Sequence, residues 1–137
     1  MIKFIQYRLK NNECLITPID YEKFCDEVCK LDKKIRFVGI FNSHFKLIKM
    51  REGLQSLLSD EETLNSIIDT FSKWRTRQGL AKKLGEPLYA MAEYEKVKRI
   101  TMPINDDGLI LVSAEPSVNH ETVTKEILSI RDKYQLE

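Results

Sequence analysis

The feature that most limits the fold is a change of hydrophobic period after Arg51. From Ile35 to Met50 the period is two. In IRFVGIF, Ile35, Phe37 and Phe41 alternate with Arg36, Val38 and Ile40; in FKLIKM, Phe45, Leu47 and Lys49 alternate with Lys46, Ile48 and Met50. Period two sends successive side chains to opposite faces of a strand, and the polar Asn42-Ser43-His44 between the runs predicts a hairpin. The first run is apolar on both faces, as a strand inside a sheet requires. From Ser59 the spacing becomes three and four, through Leu64, Ile67, Ile68, Phe71, Trp74, Gln78 and Ala81. That pattern is one face of a long helix, opened by the capping box Ser59-x-x-Glu62 and stopped at Gly85, with Pro87 beyond. The helix is expected to run to Leu84, with Gly79 weakening its last part by about 1 kcal/mol relative to alanine.

The remaining segments follow the same logic. Pro18 and the acidic Asp20 and Glu22 suit a helix start. Tyr21, Phe24, Cys25, Val28, Cys29 and Leu31 then fall on one helical side. Three strand-like runs come after the long helix: PLYAMAEY, KVKRITMPI and GLILVSAE, with turns at Glu95-Lys96 and Asn105-Asp106-Asp107-Gly108. LILVSA is almost continuously apolar and predicts a central strand. Asn119 caps a last helix whose inner face carries Val123, Ile127, Ile130 and Tyr134. The order is helix, strand, strand, long helix, strand, strand, strand, helix. It predicts an α+β domain over residues 18–137, with a central five-stranded antiparallel sheet and helices on its faces. Residues 1–17 are set apart as an N-terminal extension, in which IKFIQYRL suits either a strand or a short helix.

A net charge of +1 gives the chain no general attraction for nucleic acid or an anionic membrane. No apolar run approaches the roughly 18 residues that span a bilayer, and the first residues lack the apolar core of a signal peptide. Three cysteines, an odd number, argue against a secreted disulfide framework. A cytoplasmic protein is expected.

Few residues suggest chemistry. Cys25 and Cys29, four apart on a helix, could share a metal, but a structural zinc site wants four ligands. Only Cys14, His44 and His120 could complete it. The pair also falls on the apolar side of its helix, so core packing is the better account, and no metal or cofactor is expected. His44 at the hairpin tip and His120 at a helix start have no nucleophile in a catalytic context, although Ser43 is adjacent to His44. Asp106-Asp107-Gly108 is explained as a turn, since the acidic spacing of a calcium loop is absent. No acid, base and nucleophile assemble, so an enzyme is not expected. Basic residues from Lys73 to Lys83 and from Lys96 to Arg99, with Trp74 and Tyr94 nearby, could bind an anionic surface or a nucleic acid. A solvated helix face explains them more simply.

The hairpin IRFVGIFNSHFKLIKM, the long helix from Asp60, and KRITMPINDDGLILVSAE before the last helix resemble the roadblock-type fold, within the profilin-like and longin-like group. IRFVGIFNS and EYEKVKRITMPI also resemble a family of small uncharacterised archaeal proteins. The likeness covers roughly residues 20–134 and lies in the order of elements rather than in a catalytic signature. Phe45 departs from it, standing where roadblock domains often have a turn glycine. An aromatic there is a candidate exposed contact, and Asn42 or Ser43 would have to take any left-handed conformation.

The resemblance implies a non-catalytic, dimeric interaction or regulatory module that binds or regulates a small GTPase. Dimer surfaces in such folds use the long helix and an adjacent edge strand. Here that means Ile67, Ile68, Phe71 and Trp74, with overflow to Thr70, Arg75 and Arg77, and with Tyr89 and Met91 on the candidate edge PLYAMAEY. Whether the helix stripe packs within one chain or against a second is open in the sequence. The alternative is a sensory ligand-binding domain of PAS or GAF character, which needs an apolar cavity of a few hundred cubic ångströms. A basic-patch binder is the third reading.

Overall fold

The computed structural model describes residues 2–8, 18–43, 45–105 and 107–134. The elements are β1 (Ile2–Arg8), α1 (Pro18–Leu31), β2 (Ile35–Phe41), β3 (Phe45–Arg51), α2 (Asp60–Gln78), α3 (Ala81–Leu84), β4 (Ala90–Glu93), β5 (Lys98–Ile104), β6 (Gly108–Ala114) and α4 (His120–Tyr134). The strands pair antiparallel in the order β1-β3-β2-β6-β5-β4. The five expected strands are thus contiguous in one sheet. β1 extends it past β3, with Ile2 opposite Arg51 and Arg8 opposite Phe45. β2 and β6 meet at the centre, Val38 opposite Val112 and Ile40 opposite Ile110. Both are apolar on both faces because both are covered on both faces.

Helices α1 and α4 cover one face. Alternate residues of the central strands point there, and Phe24, Ile40, Leu47, Ile100, Ile110 and Ile127 are fully buried. Each such side chain contributes about 1.5–3 kcal/mol of burial. The Phe24 and Tyr134 rings meet edge-to-face at 5.7 Å, joining the two helices. Arg51 closes the end of α1. Its Nη2 donates to the carbonyls of Cys29 (2.6 Å) and Asp32 (3.0 Å), and its Nε to that of Ile35 (2.8 Å). A cation that satisfies orphan carbonyls also complements the negative end of the helix dipole. Two buried lysines are likewise paired: Lys49 with Asp26, and Lys98, whose Nζ donates to the Val118 carbonyl at 3.0 Å.

Helix α2 lies on the opposite face over a smaller cluster of Phe41, Ile48, Ile67 and Leu111, with Phe37 and Phe71 partly buried beside it. Its capping box has both arms: the Glu62 N–H donates to Ser59 Oγ at 3.1 Å, and the Ser59 N–H to Glu62 Oε1 at 2.9 Å. The helix is shorter than the sequence suggests. It ends at Gln78, and Leu80 (φ −96, ψ 0) separates it from the one-turn α3. No residue between Gln78 and Leu84 is buried, so nothing offsets the helix penalty of Gly79. Gly85 (φ 86) then ends α3 in a conformation open to glycine. Asn119 Oδ1 accepts from the Thr122 N–H at 3.2 Å and caps α4. Among the described residues, Asn105 (φ 55), in the β5–β6 turn, is the one non-glycine residue with positive φ; Asn42 and Ser43 do without it. Cys14, His44, Asp106 and the Phe45 side chain lie outside the described residues. No described helix is long and apolar enough to cross a membrane.

Candidate functional site

The α2 face is where the structure leaves surface unused. Of the helix's apolar residues only Ile67 and Trp74 are buried; Phe71 is half-buried, while Leu64 and Ile68 are 48% and 59% exposed. The expected stripe is therefore split. Ile67 and Trp74 hold the helix on its own sheet, and Leu64 and Ile68 point away from it. The half-buried positions between them are largely polar. Thr70 Oγ1 donates to the Ser66 carbonyl at 2.8 Å, and Ser66 Oγ accepts from Arg99 Nη1 at 2.6 Å. The first bond stays within the helix, and the second ties the helix to β5.

A cleft flanks α2 on each side. The first, of about 800 Å³, runs between the helix, the connector at 51–58 and strands β4 and β5. Its helix wall is polar and charged: Glu62, Ser66, Asp69, Thr70, Lys73 and Arg77. Its floor is formed by Phe37, Met50, Thr101, Leu111 and Ser113, and the β4 strand and Tyr94 form the far wall. The second, of about 580 Å³, lies between the apolar flank of α2 and the two turns at one end of the sheet. Ile67, Ile68, Phe71 and Trp74 line it from the helix, facing Ser43 and Asp107, whose side chains bond at 2.7 Å.

The expected interaction residues are thus distributed. Thr70, Arg77 and Met91 reach the first cleft; Ile67, Phe71, Trp74 and Arg75 reach the second. Tyr89 is 43% exposed and lines neither. Met91 also packs back on the main core. The Arg77 guanidinium stands 5.9 Å from the centroid of the Trp74 ring, a cation–π geometry. Because Trp74 is buried, it offers no stacking platform to a nucleic acid.

Cys25 and Cys29 are free and buried in the main core. Burial pushes both thiols up, away from the thiolate form that binds metals or attacks electrophiles. Among the described residues no three His, Cys, Asp or Glu side chains converge on a possible metal position. His120 is not simply solvated: its Nδ1 lies 3.2 Å from Nζ of the buried Lys98. Sequence reasoning missed the cleft floor, including Phe37, Met50 and Leu111. Their period-two spacing was visible, but β2 is apolar on both faces, so nothing marked which face a single helix would leave half open.

No protein-family model matches the chain, and no curated protein does. Solved structures do. The gliding protein MglB from Thermus thermophilus is similar at a TM-score of 0.60 and 12% identity, covering 90% of this chain and 99% of that one. A structure described as MglB with a tetrameric arrangement gives 0.61 and 13%, covering 91% and 99%. The roadblock/LC7 domain from Streptomyces avermitilis gives 0.57 and 8%, covering 81% and 91%. The chain has the roadblock-type fold.

Proposed function

We propose that this roadblock-type domain is a cytoplasmic interaction and regulatory module without a catalytic centre of its own. In this reading it self-associates and engages a small GTPase or a regulator of one. The observation that supports it most is the unfinished α2 face. A long helix rests on two buried side chains, has a cleft on each flank, and stands beside β4, whose outer edge has no strand partner among the described residues. An open edge strand is a template for a further chain. The tetrameric arrangement of one MglB structure supports assembly through such a domain. The GTPase part rests on the roadblock resemblance.

Light scattering should return twice the chain mass at high-micromolar concentration; the chain mass throughout would overturn self-association. Purified small GTPases from the source cell, loaded with GDP or a non-hydrolysable GTP analogue, test the second part. Binding that depends on the nucleotide supports it, and the lack of any such binder removes it.

The first cleft favours a second reading. Its volume of about 800 Å³ lies in the range of about 300–1,000 Å³ typical of small-molecule sites. A sensor should melt at a higher temperature with one member of a metabolite panel, whatever its state of association.

A further inference from the structure

We infer that the first cleft takes a small organic acid, its carboxylate held by Arg99 and its apolar body resting on Phe37, Met50 and Leu111. The inference rests on the ligand-binding reading of that cleft and adds the chemical class of the ligand.

The cleft exists because the sheet beneath it carries short side chains. Met91 and Ile100 pack into the main core, so their neighbours Ala90, Ala92, Arg99 and Thr101 face α2. The register sets Ser113, Arg99 and Ala92 side by side across three strands, and Leu111, Thr101 and Ala90 on the next such row. Two hydroxyls on this floor are unbonded. Thr101 is 9% exposed and Ser113 4%, both line the cleft, and among the described residues neither side chain makes a hydrogen bond. A buried hydroxyl without a partner carries a desolvation cost, and interiors keep few of them.

Arg99, beside Ser113, is half-buried. Its Nη1 donates to Ser66 Oγ at 2.6 Å, which occupies one of several N–H donors on a guanidinium. Among the described residues no carboxylate pairs with it. The cleft's other cations are engaged or solvated. Arg36 holds Glu115 at 3.1 Å, Lys73 holds Asp69 at 2.9 Å, Arg77 stands against Trp74, and Lys96 is exposed between β4 and β5. The acids on the walls are placed elsewhere too: Glu62 accepts from the Ser59 N–H, Asp69 is taken by Lys73, and Glu95 is exposed. A half-buried cation is ordinarily paired. Here it stands beside an unbonded hydroxyl, in a cleft with an apolar floor.

The missing partner fits a carboxylate better than a phosphate. The planar fork of one guanidinium matches one carboxylate in two parallel bonds. Phosphate sites gather backbone N–H groups from glycine-rich loops or helix starts. No glycine lines this cleft, and the start of α2 is closed by its own capping box. A 2-hydroxy acid would add a second oxygen for the Ser113 hydroxyl.

NMR titration of the full chain tests the inference, with 3-phenyllactate and octanoate as acids and 3-phenylpropanol and octanol as their uncharged counterparts. The acids should bind at least about tenfold more tightly than the alcohols. Arg99→Gln, which keeps an N–H donor for Ser66, should remove that preference, and Arg99→Lys, which keeps the charge without the fork, should fall between. Thr101→Val and Ser113→Ala should melt no lower than the wild type, because neither hydroxyl loses a protein partner, and Ser113→Ala should weaken 3-phenyllactate more than octanoate. If acids and alcohols bind alike, or if both folded Arg99 variants bind the acids as the wild type does, the carboxylate anchor is wrong while a ligand cleft stands. If neither these acids nor any member of the metabolite panel binds, the ligand-binding reading itself fails.

Discussion

One face of the sheet is covered by two helices that bury Phe24, Val28, Ile110 and Ile127; the other carries a single helix, seated through Ile67 and Trp74. The first face is continuous from α1 to α4 and has its two buried lysines paired, Lys49 with Asp26 and Lys98 with Val118 and His120. The second interleaves threonine, serine and arginine with its apolar side chains and leaves clefts on both flanks. The difference separates two tasks. A closed face holds the domain together by itself, and a half-open face can be completed by another molecule.

Deleting side chains on each face is the strongest way to break this comparison. Ile110→Ala should cost about 3–4 kcal/mol and Ile67→Ala about 1–2, because a site bordering a cleft relaxes or admits water where a sealed one cannot. Equal costs in urea unfolding of the monomer would mean that the two faces are packed alike. Next in size is Arg51→Ala, expected to cost about 2–3 kcal/mol by stripping charged donors from three carbonyls between the end of α1 and the start of β2. Ser59→Ala should cost about 1 kcal/mol. Hydrogen exchange should show its effect confined to α2 amides, which open locally, while α1 and α4 exchange only with global unfolding.

The smallest expected effect is electrostatic. The Tyr134 hydroxyl bonds Glu27 Oε1 at 2.5 Å across α1 and α4 and is the main cause that holds this carboxyl below its usual range, with Lys133 assisting. A carboxylate depressed in the folded state stabilises it at neutral pH, and that contribution is lost as pH falls through the folded value. Tyr134→Phe should raise the Glu27 titration seen by carboxyl NMR and slightly lower stability at neutral pH. An unmoved titration would show that the lysine, not the hydroxyl, sets the shift.

Much of the closed face was legible in the sequence. Its helices declare themselves by unbroken apolar spacing, from Tyr21 to Cys29 and from Val123 to Ile130, and its strands by alternation. The caps at Ser59 and Asn119 and the turn at Asn105–Gly108 follow from local chemistry and were equally visible. The half-open face was harder to read. Leu64, Ile67, Ile68, Phe71 and Trp74 look alike in a helical pattern, yet only Ile67 and Trp74 are buried, because the polar Thr63, Ser66 and Thr70 rather than Leu64 turn inward beside them. A helix that runs short at Gly79 depends on whether tertiary contacts hold its last turn, which no local pattern encodes. The pairing of Ile2–Arg8 with β3 joins residues far apart in the chain, and IKFIQYRL alone fits a helix as well as a strand.

The central seam of the sheet joins Ile35–Phe41 to Leu109–Ala114, so β3, α2, α3, β4 and β5 all lie within the loop it closes. The entropy of closing a loop grows only slowly with its length, but such distant contacts slow folding. On the ribosome, α2 is made before Tyr94, Arg99 and Ser113, the residues that wall the cleft beside it. A nascent chain can display the helix but not the finished groove beside it. Any partner that needs the whole groove can therefore meet only finished chains.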